Sequence, residues 1–316
     1  MNRKPLAVVA VGGNALIRDG AHQALADQYD AVCATAAHVG NLIEAGWNLV
    51  LTHGNGPQVG FILRRSEIAQ GQVPTVAVQY AVGDTQGAIG FMFQNAFGNE
   101  LRRRGIAMPV VTLVTQTVVD RADPAFARPD KPIGSFLAEA EARRLAETLG
   151  WTVAPDSNRG WRRVIASPQP VKVVEAAIIE RLAREGVLVI ACGGGGIAVE
   201  QLANGELHGV DAVVDKDRAS ALLAVQMRAE LLMIPTGVDR VAIRFGRPDQ
   251  QWLDRLTVAQ AEAYAAEGHF AAGSMGPKIE ALLKFVKGRP GGRGVITNPE
   301  SIARALQGQA GTWIED

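Results

Sequence analysis

Cysteine is nearly missing from this chain of 316 residues: only Cys33 and Cys192 occur, far apart and without a C-x-x-C. A disulfide framework and a structural zinc cluster are therefore not expected. Five histidines show no H-E-x-x-H or related ligand spacing. Charge of either sign is not in excess, since 32 Lys+Arg balance 32 Asp+Glu, so nothing advertises nucleic acid or an anionic membrane as a partner. No apolar run reaches the roughly 18 residues of a membrane span. The first apolar run, residues 6–11, stops at a glycine pair with no small-residue cleavage site, which reads as a strand and not a signal peptide. With few cysteines, a cytoplasmic protein is expected. The G-x-x-x-x-G-K-[ST] pattern is also absent, which removes a P-loop as a phosphate grip.

What is present is apolar residue and glycine: 47% hydrophobic residues, enough for a sizeable core, and 35 glycines. Short β-branched runs predict strands at 6–11, 48–52, 109–115, 187–191, 231–235, 241–245 and 294–297. Their continuous apolar character suits strands buried on both faces, as in a parallel sheet covered by helices. Helical spacing follows at 22–45, 57–70, 76–104, 136–149, 171–185, 217–227, 257–267, 276–287 and 299–306. This order predicts an α/β layered fold, because parallel strands need crossovers and helices supply them. Residues 117–168 break the alternation with five prolines and two tryptophans, and read as an inserted lobe.

Three strands run into glycine loops of one design, at Gly12-Gly-Asn-Ala-Leu16, at His53-Gly-Asn-Gly-Pro-Gln-Val-Gly60 and at Gly193-Gly-Gly-Gly-Ile197. At the carboxyl edge of a parallel sheet such loops suit anions, phosphate above all. Gly193, Gly195 and Ala198 also fit a loose G-x-G-x-x-G/A with Asp215 about twenty residues on, the dinucleotide spacing. That reading weakens at the Asn-Gly turn in 200–209, which looks like an excursion or hairpin where a helix should open. Lys216, between Asp215 and Asp217, and Lys278, just after Pro277, both stand at predicted helix starts. A lysine there opposes the helix dipole, so two of them suggest an anion between, with a transferring phosphoryl group the natural candidate.

Taken with Lys131-Pro-Ile-Gly134, Arg159-Gly-Trp-Arg-Arg163, Val214-Asp-Lys-Asp217 and Gly273-Ser-Met-Gly-Pro-Lys278, these motifs resemble, in order and over essentially the whole chain, the carbamate kinase family of the amino acid kinase superfamily. The resemblance implies a three-layer αβα sandwich with a mainly parallel central sheet, residues 117–168 protruding as a lid. It implies reversible phosphoryl transfer, carbamoyl phosphate plus ADP giving ATP plus carbamate, as in fermentative ATP formation from arginine or related nitrogen compounds. Lys131, Lys216, Asp217 and Lys278 would carry catalysis. Gly12, Gly13, Asn14, Gly54 and Asn55 would line the acyl-phosphate side. Gly193, Gly194, Gly195 and Gly196 would approach the nucleotide's phosphates, and Thr236, Gly237, Val238, Asp239 and Met275 the nucleoside. Mg²⁺ would come with ATP or ADP without dedicated metal-ligand residues, and subunits would pair as homodimers. Ser135, Phe136 and Leu137 stand where the family has Pro-Phe-Tyr, and Ala198 where it has proline, which bears on lid stiffness and substrate preference. A silent nucleotide sensor and a kinase for a larger carboxylate are the competing readings.

Other residues read as structural. Cys192 ends an apolar strand as a small buried side chain, His53 shapes its loop, and Arg102, Arg103 and Arg104 complement a helix C-terminus. Gly83, Gly87, Gly90 and Gly98 are small positions on one long helix that permit close packing.

Overall fold

The fold is that of a computed structural model describing residues 3–16, 22, 24–156, 160–271 and 273–316. Arg159 of the Arg-Gly-Trp-Arg-Arg motif lies outside these, and Asn14 is placed by its backbone alone. Eight strands form the central sheet in the order Arg255–Leu256, Thr312–Ile314, Arg293–Thr297, Leu231–Pro235, Leu6–Val11, Asn48–His53, Leu188–Ala191, Val110–Thr112. The last six of these run parallel, and Thr312–Ile314 is antiparallel to Arg293–Thr297.

Strand geometry explains why the runs are continuously apolar, because successive side chains point to opposite faces and both faces are covered. Leu6, Val8 and Ala10 enter one core with Val50, Val189 and Leu232, roofed by the helices Ala176–Arg184, Lys216–Gln226 and Met275–Gly288. Ala7, Val9 and Val11 enter the other with Leu49, Ile190 and Met233, under the helices Leu25–Glu44 and Val78–Arg103. The three-layer αβα arrangement follows from this two-sided burial.

A second sheet orders Leu207–Val213, Ile197–Gln201, Gln116–Val119 and Pro170–Val173. The 200–209 excursion is its antiparallel hairpin, with Gln201 opposite Leu207. Thr117 and Val118 are thus part of the body, paired with Ala198 and Val199, and Val119 with Pro170. The part that stands apart is the sheet Lys131–Leu137, Trp161–Ile165, Val153–Pro155, with the helix Glu139–Leu149. Two predicted helices begin later than their spacing suggested. Residues 136–137 belong to the strand Lys131–Leu137, with Leu137 opposite Trp161, and residues 171–173 to the strand Pro170–Val173. In both, β-branched or aromatic residues found a strand partner distant in sequence. The predicted strand 241–245 ends at Ile243 and pairs with Gln251–Leu253 in a separate hairpin.

Candidate functional site

Strands 6–11, 48–53 and 188–191 are neighbours, so their three glycine loops open side by side at the carboxyl edge. Asp215 caps the helix Lys216–Gln226, its carboxylate accepting from Asp217 N at 2.9 Å and Arg218 N at 3.3 Å. That cap sets Lys216 and Asp217 in the first turn, facing the loops. The stem of Lys216 threads between them: a Cβ on Gly54 would sit 3.4 Å from Lys216 Cδ, and one on Gly12 3.9 Å from Cε.

Asp217 is buried and bridges both site lysines. Lys216 Nζ donates to one oxygen of Asp217 and, at 3.3 Å, to Ala10 O. Lys278 Nζ donates to the other oxygen at 2.9 Å. Burial opposes the charge on Asp217, but the two ammonium groups outweigh it and hold the carboxyl below its usual range. For Lys216 burial is the larger influence and, with repulsion from Lys278, pulls its pKa below the ordinary lysine value against the attraction of Asp217. Two cations against one anion leave a net positive charge at two helix starts, which is a setting for a multiply charged anion.

Two cavities flank this ion triad. One, of about 240 Å³, is lined by Gly54, Asn55, Lys131, Gly194 and Lys216 among others. Lys131 enters it from the protruding sheet and pairs with Asp215 at 3.4 Å. The other, of about 490 Å³, is lined by Gly12, Gly13, Thr236, Gly237 and Lys278 among others. Asp217 therefore ties a lysine of one cavity to a lysine of the other. Val238 and Asp239 continue the Thr236 loop, with Asp239 Oδ2 3.5 Å from Arg304, and Met275 opens the Lys278 helix.

The four-glycine run, expected along the nucleotide's phosphates, is closely packed by protein. Gly193 to Gly196 are buried, and a Cβ on them would strike, in turn, His53 and Gln86, Asn55, the Val214 carbonyl and Thr117. Two strands separate the run from the strand leading to Thr236, and Gly194 belongs to the Lys131 cavity. Close packing of protein on protein uses these glycines at every position. His53, fully buried, donates from Nδ1 to Gly54 O at 2.8 Å. Burial, the larger influence, and Lys216 lower its pKa to about 4, so it is neutral and shapes the loop.

Sequence reasoning passed over Asp215 as a cap, although an Asp before Lys-Asp at a helix start is a readable signal. It also passed over Thr85 and Gln86, which carry no local signal because their partners lie elsewhere in the chain. Among the described residues no group of three or more His, Cys, Asp or Glu side chains is placed to cage a cation. No described helix is long and apolar enough to cross a membrane.

Parallel sheet, carboxyl-edge glycine loops and paired lysines define a phosphoryl-transfer protein of the amino acid kinase class. The model of the amino acid kinase family matches residues 5–298, and the chain belongs to that family. Within it, the chain is 46% identical over 310 residues to the carbamate kinase of Thermococcus kodakarensis, covering 97% of this chain and 98% of that protein. It is 46% identical over 314 residues to the carbamate kinase-like protein YahI of Escherichia coli, covering 98% and 99%. The solved structure of carbamate kinase from Giardia lamblia bound to AMP-PNP superposes with a TM-score of 0.94 at 38% identity, covering 100% of both chains.

Proposed function

We propose that the chain is a carbamate kinase, a phosphotransferase that moves the phosphoryl group between carbamoyl phosphate and ADP. The observation that carries the reading is the bridge through Asp217, which places Lys216 in the smaller cavity and Lys278 in the larger one. A group passing from one cavity to the other keeps a cation beside it throughout, and such transfer depends chiefly on positioning and charge neutralisation. On this reading carbamoyl phosphate occupies the Lys131 cavity against Gly54 and Asn55. The nucleotide lies across the Gly12–Gly13 loop, expected on the acyl-phosphate side but lining the Lys278 cavity, toward Thr236, Gly237, Val238, Asp239 and Met275. Carbamate oxygen is already anionic, so the acceptor needs no base, in keeping with a neutral, buried His53.

Mg²⁺ fits as a companion of the nucleotide, since both oxygens of Asp217 are taken by lysines and no carboxylate trio is at hand among the described residues. When bound it neutralises charge on the phosphate oxygens. The sheet that carries Lys131 acts as a lid, its Lys131–Asp215 contact closing the smaller cavity against water. The protein works in the cytoplasm as a homodimer.

The test is ATP formation by purified protein from carbamoyl phosphate and Mg-ADP, with Lys278→Ala alongside. Rapid ATP formation is expected, and a loss of at least about a hundredfold in the variant, the scale of removing one transition-state donor. No ATP from folded protein that binds ADP would point to another acyl acceptor or to a nucleotide sensor. A fully active variant would sink the role given to Lys278.

A further inference from the structure

The helix Val78–Arg103 buries two consecutive polar side chains, Thr85 and Gln86, that line neither the Lys131 cavity nor the Lys278 cavity. Each reaches a different loop of the site. Gln86 Nε2 donates to Thr115 O and to Gly193 O, both at 3.0 Å, while its Oε1 accepts from Thr115 N at 2.8 Å. Every hydrogen-bonding group of that amide thus has a fixed partner, and the start of the glycine run is held to the helix. Thr85 Oγ1 lies 2.6 Å from Asn55 Oδ1 and 2.8 Å from Val82 O.

A hydroxyl has one proton and cannot serve both acceptors at once. If the proton went to Val82 O, as in an ordinary helix, Asn55 would turn its NH₂ to the Thr85 lone pair and leave its carbonyl as the unpartnered atom of a residue lining the Lys131 cavity. An acceptor oxygen there would repel the phosphoryl oxygens. With the proton on Asn55 Oδ1, the amide is held the other way round, and Asn55 Nδ2 is a buried donor without a partner among the described residues, in a residue lining that cavity. Leaving such a donor unmet is unfavourable by itself. An anionic oxygen in the cavity removes that penalty.

We infer that Thr85 is a positioning residue that fixes the Asn55 amide with its N–H toward the phosphoryl group of the acyl phosphate, and that Gln86 holds the facing glycine loop at the matching distance. The inference rests on the kinase reading for the identity of that ligand. It requires a hydroxyl at position 85 and nothing more of that side chain.

Steady-state ATP formation with Thr85→Val, Thr85→Ser, Asn55→Ala and the double variant tests it, with melting temperatures recorded for each. Thr85→Val is expected to lower kcat/KM for carbamoyl phosphate about tenfold, the upper end of one neutral hydrogen bond, with KM for ADP unchanged. Thr85→Ser should stay within about twofold of the parent, and Thr85→Val should add nothing once Asn55 is alanine. Parent-like kinetics in Thr85→Val, equal damage in Thr85→Ser, or additive losses would overturn the assignment. Should Thr85→Val not fold, Thr85→Ala reads the same loss. Calorimetric binding of inorganic phosphate to parent and Thr85→Val reads the amide orientation without turnover. If the parent makes no ATP, the function reading falls, and equal phosphate affinity of parent and variant would still sink the role of Thr85.

Discussion

Lysines at helix N-termini oppose the dipole, and Lys216 and Lys278 are tolerated there because Asp217 is shared between them and an anion is their business. Buried His53 shows the opposite solution, a titratable group kept neutral. Its folded-state pKa of about 4 lies below the ordinary value of 6.5, so between those pH values the unfolded chain takes up a proton that the folded chain refuses. Stability from this group is full above pH 6.5 and is lost as pH falls toward 4, by about 3 kcal/mol in total. Urea unfolding at pH 7 and pH 4.5 should therefore show a smaller acid loss in His53→Gln than in the parent, by about 2–3 kcal/mol. Equal losses would mean that the imidazole is protonated in the folded protein. Cys192, beside the site, contributes no such titration, since burial lifts its thiol above the usual range.

At the scale of elements, the glycine run shows where sequence and structure part. Four glycines after a strand look like a phosphate loop, and nothing local distinguishes backbone left bare for a ligand from backbone left bare for other protein atoms. Gly195 has φ +88°, and a Cβ there would lie 2.3 Å from the Val214 carbonyl, which cannot yield without moving the chain that leads into Lys216. Gly83, inside the helix Val78–Arg103, would bring a Cβ to an ordinary 3.5 Å from Ile197 Cδ1. Opposite outcomes are expected for the two. Gly195→Ala should destabilise by about 3 kcal/mol or more, through left-handed strain plus overpacking. Gly83→Ala should stabilise by about 0.5–1 kcal/mol, because glycine in a helix interior has surplus entropy to lose. Chemical denaturation of both variants measures this, and a neutral Gly195→Ala would show that the loop relaxes. Lys216 and Asp217 were readable because they stand together at a helix start, with Asp215, their cap, just before them in the chain. Thr85 and Gln86 were not, because their meaning lies in Asn55, Thr115 and Gly193, which only the tertiary fold brings near.

Across the whole molecule the six parallel strands of the central sheet were legible for the same physical reason that they are stable: two covered faces demand unbroken apolar strands, as in 6–11 and 48–53, whereas Arg255–Leu256 and Thr312–Ile314 were not. Of the second sheet only the 200–209 hairpin was legible, and the Lys131 sheet was not, since strands such as Trp161–Ile165 are only partly buried and owe their pairing to residues far along the chain. The long helix was legible as a helix, but its four small positions divide in the fold. Gly83 and Gly90 face inward, against Ile197 and Thr112, whereas Gly87 and Gly98 open onto space. With exposed Tyr80 and Phe91 they form one stripe at helical spacing, next to exposed Val114 and the end strand Val110–Thr112 of the sheet. An end strand of the sheet with exposed apolar side chains beside it is a surface that a second copy can cover. A homodimer through this face is thus the expected state, and light scattering should give about twice the 33.5 kDa chain mass. Phe91→Asp with Val114→Asp should bring the mass to that of one chain without unfolding it, since both side chains are exposed. A dimer that survives both charges would place the interface on another face, and a monomeric parent would leave the stripe without that purpose.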